Sequence, residues 1–297
     1  MKRAIALIRN FSFVLIGLMF ACNSPRNESA GNFFQWTDSY GREVKLSHEP
    51  QRIISLSPSI TEMIFLLQAE EKLVGISDYC QYPPETNKIK RVGGLQNINV
   101  ESLLALQPDV VLIGSIVPKK EVEMMEKMGI NVIAIKEETK IEGLFSALKV
   151  LGDITNRKQL AQDKTIEFHQ KLATITIENI SEDQRKKVYY VVGFGDAGDF
   201  TAPGNSHIHE IITMAGGHNV GSELTTWNIS REYLFETDPD IIIIRKENYD
   251  QFMKTYPYTL LNAVKQSHVY PIESGWIDIV SPRNIWAVKY LNDKILL

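Results

Sequence analysis

Cysteine and histidine are scarce in this chain, basic charge has no surplus, and no apolar stretch is long enough to cross a bilayer as a helix. Two cysteines, Cys22 and Cys80, stand among 297 residues. That is too few for a disulfide framework, so stability has to come from buried apolar surface. Lysine and arginine number 32 against 36 acidic residues, and no basic face suited to nucleic acid follows. Of the histidines, His48, His169, His218 and His268 are scattered, while His207 and His209 stand two apart at a helix start. Residues two apart do not share a helix face, so that pair suits capping or surface roles better than metal ligation. A GxSxG elbow, an HExxH helix, a Walker loop and paired-cysteine zinc spacing are all missing. With no visible catalytic apparatus and no metal site, the chain reads as one that binds rather than catalyses.

What is present begins at the N-terminus. Lys2, Arg3 and Arg9 lead into the apolar run FSFVLIGLMFA, Phe11 to Ala21, and residues 1–21 therefore read as an export signal peptide. Cys22 follows at once, so cleavage before it leaves a thiol for lipidation. The string MFAC resembles a bacterial lipobox, with Met19 where leucine is usual. An ordinary signal peptidase site is the alternative. Lipidation implies a multiply acylated (diacylglycerol and palmitate) anchor on a bacterial membrane, facing the periplasm or the cell exterior. Residues 22–33, rich in Ser, Asn, Gly and Pro, read as a flexible tether. Loss of the signal removes three basic residues and no acids, which makes the mature chain more acidic.

Short apolar runs (RIISL, LVGIS, DVVLIG, NVIAI) alternate with helix-length stretches (SITEMIFLLQA, NVESLLALQ, KKEVEMMEKMG) between Arg52 and Ile135. This is the pattern of an α/β fold with a mostly parallel sheet. The second half repeats it with VYYVVGF, HIHEIITMAGG, SREYLFET and DIIIIR. Glu101 is followed seven residues later by Pro108, Asp109 and VVLI; Glu232 is followed seven residues later by Pro239, Asp240 and IIII. Likewise SITEMIFLL around Glu62 parallels SHIHEIITM around Glu210, each with serine in N-cap position. Two related Rossmann-like lobes follow, residues 34–153 and 181–297. Between them, residues 154–180 read as a linker. Ala161, Thr165, Phe168, Leu172 and Ile175 form an apolar stripe along one long helix from Asn156 to Ile180, which at about 1.5 Å per residue exceeds 30 Å.

The string GFGDAG, Gly193 to Gly198, matches GxGxxG after a strand and raises a Rossmann-type NAD-dependent enzyme as a rival reading. A phosphate-binding version opens directly into a helix, whereas DFTAPG follows here and delays the helix to about Ser206. Aromatic residues gather in segments expected at the carboxyl ends of strands: Tyr79 and Tyr82, Phe194 and Phe200, Trp227, and Trp276. Ligands of open α/β sheets sit in that crevice, and aromatic faces with few charges suit a large flat ring system. Tyr82, beside two prolines, reads as packing on its own lobe; Tyr79 and Trp227 read as ligand contacts.

The segments RIISLSPSITEMIFLL, GISDYCQYPPE and NINVESLLALQPDVVLIGS resemble the periplasmic binding proteins that serve vitamin and iron-chelate ABC importers. VGGLQNINVE, WNISRE and SGWIDIVSPR extend the resemblance to the cobalamin-binding members over nearly all of the mature chain. It implies a monomer of two lobes joined by one helix, with cobalamin or another corrinoid held between the lobes as cargo and delivered to a permease dimer with its ATPase. A ferric siderophore or haem is the alternative cargo. By matched position, Tyr79 should face the corrin and Trp227 should pack on it from the second lobe. Ser59, Cys80 and Leu95 of the first lobe and Phe194, Phe200, Gly275 and Trp276 of the second are the other residues expected to line the cleft, Phe194 and Phe200 from a loop whose length differs from the family's. Glu101 and Glu232 should dock on the permease. The chain departs from that family where Leu95 and about Gly114 replace tryptophans and Gly275 replaces an aspartate, which thins the first lobe's aromatic wall.

Overall fold

In the first half, β-branched runs form three- and four-residue strands whose side chains alternate between two buried faces. Val110 and Leu112 enter one apolar cluster while Val111 and Ile113 enter another. In the second half Ile241 and Ile243 part from Ile242 and Ile244 in the same way. A continuous apolar run is what a strand covered on both sides requires, which is why VVLI and IIII carry no polar alternation. The computed structural model describes residues 32–94, 98–114, 117–136, 140–175, 181 and 184–296. The signal, Cys22 and most of the tether lie outside these residues, as does Leu95.

A small antiparallel hairpin, β1 (Phe34–Thr37) with β2 (Glu43–Leu46), opens the fold. The first lobe follows as β3 (Ile53–Ser55), α1 (Pro58–Leu66), β4 (Leu73–Ile76), α2 (Val100–Ala105), β5 (Val110–Ile113), α3 (Lys119–Lys127), β6 (Val132–Ala134) and α4 (Ile141–Ile154). After α5 (Lys158–Ala173) the second lobe runs β7 (Lys187–Val191), β8 (Asp199–Phe200), α6 (His207–Met214), β9 (His218–Asn219), β10 (Asn228–Ile229), α7 (Arg231–Thr237) and β11 (Ile241–Arg245). It ends with α8 (Tyr249–Phe252), α9 (Asn262–Lys265), β12 (Val269–Ile272), α10 (Ser274–Ile277) and α11 (Asn284–Ile295).

The two main sheets are parallel, in the orders β4-β3-β5-β6 and β12-β11-β7-β9. Numbered within each lobe, both read second, first, third, fourth, so the halves share one topology. The repeat in the sequence is therefore structural. Asp109 accepts the amide of Arg52 (2.9 Å) just before β3, and Asp240 accepts the amide of Lys187 (2.7 Å) at the start of β7. Each Pro-Asp pair thus ties the start of its lobe's third strand to the start of the first.

One apolar cluster reaches across both lobes. It takes the inner faces of both sheets with α1, α4, α6 and α11, and Ala161 and Phe168 of α5 are buried within it. The interlobe helix is shorter than the apolar stripe suggests. Asn156, at φ +59°, separates α4 from α5, and α5 closes at Ala173 with Thr174 as its C-cap. Its 16 residues span about 24 Å, and residues 176–180 lie outside the described ones. Leu172 and Ile175 still pack against the shared cluster, so the stripe marks the buried face correctly while overstating the helix.

Candidate functional site

In sheets of this order the connections diverge between the first and third strands, and a crevice opens beyond their carboxyl ends. Here that puts the candidate site at the loops following β3, β4 and β5 in one lobe and β7, β9, β11 and β12 in the other. The loop after β4 carries Tyr79, 58% exposed, with its ring against Gly94. In the opposite lobe Trp227, 41% exposed, directly precedes β10, and its carbonyl accepts the amide of Thr201 beside β8. Two largely exposed rings are thus offered from these loops, one per lobe.

The two lobes are clasped by an ion pair. Arg283, just before α11, donates from Nε to Oε2 of Glu62 on α1 (2.9 Å) and from Nη2 to Oε1. The side chains are 11% and 4% exposed. The ring of Tyr82 covers the guanidinium at 4.1 Å. Gly275 makes room for it: a Cβ there would lie 2.1 Å from Arg283 Nη1. Burial pushes the Glu62 carboxyl above its ordinary range, against the opposing pull of Arg283. Other cations on the second lobe's strand-end loops are also paired: Arg231 with Asp199 (3.0 Å), Arg245 with Asp278 (2.8 Å) and Lys246 with Glu273 (2.9 Å).

The residues expected in the cleft divide. Tyr79 and Trp227 are exposed in loops that follow strands, and Phe200 sits half-buried in the antiparallel β8–β10 pair over Gly193 and Gly198. Ser59 is buried in the first turn of α1, whose N-cap is Ser57 rather than Ser59. Cys80 is a correction. Its thiol is fully buried, within 3.2 Å of the Thr61 and Ser77 hydroxyls, because the loop turns it into the core, where burial raises its pKa. Phe194 is another: its ring meets Phe252 and Tyr258 edge-on at 5.1 and 5.6 Å, inside its own lobe. Trp276 packs on Trp286 and Tyr290 of α11. Tyr82 does more than pack on its own lobe, since it covers the Arg283 that crosses between the lobes.

GFGDAG opens into strand β8 and not into a helix, with Gly195 at φ +96° and Gly198 at φ +108°. A helix N-terminus that could receive a pyrophosphate is not where the NAD reading needs it. His207 is half-buried at the first position of α6, with Nε2 2.7 Å from the Ile277 carbonyl. Among the described residues no group of three His, Cys, Asp or Glu side chains could hold a metal ion. A groove of about 590 Å³ lies between α4 and α5, lined by Phe145, Lys149 and His169 among others.

Glu101 and Glu232 are exposed and each is the second residue of its helix, α2 and α7, behind the side-chain caps Asn99 and Ser230. Crossover helices run antiparallel to their strands, so both helix starts lie on the cleft side of the sheets. The sequence reading missed the role of Glu62. It also missed the Asp199–Arg231–Tyr258 cluster, in which both side chains donate to the carboxylate.

Comparison with known proteins adds independent evidence. A Bacillus subtilis protein named as an uncharacterized ABC transporter substrate-binding lipoprotein, YvrC, is 24% identical over 96% of this chain and 95% of its own. The vitamin B12-binding protein of Salmonella typhi is 31% identical over 81% of this chain and 88% of its own. The structure of the vitamin B12 binding protein BtuF of Vibrio cholerae superposes with a TM-score of 0.69 at 20% identity, covering 84% of this chain and 97% of that one. A periplasmic heme binding protein of Pseudomonas aeruginosa superposes at 0.73 and 23%, covering 83% and 92%. Both superpositions speak to the fold. The periplasmic binding protein family model matches residues 53–274, from the first strand of one main sheet to the loop after the last strand of the other, and the chain belongs to that family.

Proposed function

We propose that this protein captures cobalamin or a related corrinoid, such as a cobinamide, in the cleft between its lobes and delivers it to the permease of an ABC importer. In this reading it works as a monomer tethered outside the cytoplasmic membrane through lipidated Cys22, and Glu101 and Glu232 dock on the permease. The observation that carries the cargo is the pair of exposed rings, Tyr79 on one lobe and Trp227 on the other, since exposed aromatic faces suit a large flat macrocycle. The pairing of Arg231, Arg245, Lys246 and Arg283 with acids favours a cargo with no net charge over a polyanion. Likeness to the Salmonella typhi vitamin B12-binding protein supports the same cargo.

The competing cargo is haem or a ferric siderophore, for which the exposed phenol of Tyr79 would be an iron ligand. Titration of the purified protein with cyanocobalamin, dicyanocobinamide, haemin, ferric siderophores and NAD, read by tryptophan fluorescence and calorimetry, separates the readings. A corrinoid response without a comparable response to iron chelates is expected. Silence toward both corrinoids alongside tight binding of an iron chelate overturns the proposal.

A further inference from the structure

Building on the corrinoid reading of the cleft, we infer that Glu62 is a specificity-determining residue: by occupying the guanidinium of Arg283 it keeps an unpaired positive charge out of the interlobe site and so sets that site against anionic ligands. Arginine presents a planar fork that binds carboxylates in bidentate fashion, and it is the side chain a carboxylate-bearing ligand would seek. Here the fork is already filled. Nε and Nη2 go to the two oxygens of Glu62, Nη1 lies over Gly275, and Tyr82 covers the face. The acid comes from the lobe opposite the arginine, 221 positions away in sequence, so the neutralisation exists only where the two lobes meet. A ligand carboxylate would have to displace that of Glu62 and leave it buried with the Ser281 hydroxyl but no cation, which disfavours the exchange.

The test uses the full chain, purified in mild detergent, and matched ligands that differ in charge: cyanocobalamin against its peripheral monocarboxylate derivatives, and haemin against haemin dimethyl ester. Glu62→Gln retains volume and an oxygen acceptor for Arg283 while removing the negative charge. Its affinity for the monocarboxylates relative to cyanocobalamin should rise about tenfold over the ratio in the unmodified protein, whatever the shift common to both ligands. Glu62→Asp, which keeps the charge, should give no such gain. If circular dichroism shows Glu62→Gln unfolded, Glu62→Ser removes the same charge from a smaller side chain and carries the same expectation. Equal changes for both members of a pair, or none, overturn the inference. A chain that ignores cyanocobalamin but binds haemin sinks the corrinoid reading alone, and the haemin pair then decides the role of Glu62.

Discussion

The Glu210 carboxylate on α6 accepts the backbone amide of Ile141, the first residue of α4, at 2.5 Å, and so the second lobe caps a helix of the first. Glu62 on α1 answers it from the other side by holding Arg283 at the start of α11. Helices α1 and α6 each follow the first strand of their lobe, and α4 and α11 each follow the fourth. The same junction is therefore fastened twice, once in each direction, about the shared apolar cluster. Both carboxyls have raised pKa values because they are buried.

Removing either fastening should cost stability unequally. Glu62→Ala leaves a nearly buried guanidinium without its carboxylate and should destabilise by about 3 kcal/mol. Glu210→Ala removes a helix cap and should cost about 1 kcal/mol. Urea unfolding followed by circular dichroism checks the order, and a costlier Glu210→Ala would contradict it.

Tyr189 predicts a change of the opposite sign. Its ring is fully buried in the second lobe, and its hydroxyl has no hydrogen-bond partner among the described residues. A buried hydroxyl left unpaired is unfavourable, so Tyr189→Phe should leave stability unchanged or raise it by about 1 kcal/mol. A loss of that size in urea unfolding would reveal a partner for the hydroxyl.

Acid should weaken the fold through His207. Burial lowers its pKa from the ordinary 6.5, and the contact with the Ile277 carbonyl requires Nε2–H to donate. Between the lowered value and 6.5 the unfolded chain binds more protons than the folded one. The stability held by the neutral imidazole is therefore complete above 6.5 and declines as pH falls through that window. Because the raised carboxyls of Glu62 and Glu210 act with the opposite sign, the readout is the difference between the unmodified protein and His207→Gln. That difference should shrink from about pH 7 to pH 5.5, and a constant difference would contradict the assignment.

Glu101 and Glu232 hold the same place in the two repeats, and an acid in a first helical turn is favourable by about 0.3 to 1 kcal/mol without any partner. Docking adds a requirement that helix capping does not: one carboxylate per lobe, matching a permease of two like subunits. Glu101→Lys with Glu232→Lys should leave ligand affinity unchanged and abolish ligand-dependent uptake in a reconstituted importer, with each single change giving a partial, salt-sensitive loss. Normal uptake with the double variant would reduce both residues to helix-start acids.

Local patterns made much of this fold readable in advance. Runs of β-branched residues bounded by Pro-Asp mark strands buried on both faces, and the repeat of Glu101 and Pro108 at Glu232 and Pro239 reports two like lobes because the same crossover recurs. The exposure of Tyr79 and Trp227 was legible for a related reason: both stand in loops that follow strands, where a ring need not enter the core. What stayed hidden depends on partners distant in the chain. The parallel between Glu62 and Glu210 is visible in the sequence, yet nothing local says that each reaches into the other lobe. Whether the loop after β4 turns Cys80 inward or outward is settled by Thr61 and Ser77, which receive the thiol in the core. Phe194 was misplaced because Phe252 and Tyr258, more than fifty residues on, claim its ring.

A corrinoid held between the rings of Tyr79 and Trp227, as proposed, makes the affinity of the aromatic variants for cyanocobalamin the most direct test. Calorimetric titration should show saturable binding to the unmodified protein, weakened by about 1 to 3 kcal/mol in Trp227→Ala and by a similar amount in Tyr79→Ala, with unchanged circular dichroism. Undiminished affinity in both folded variants would contradict the account.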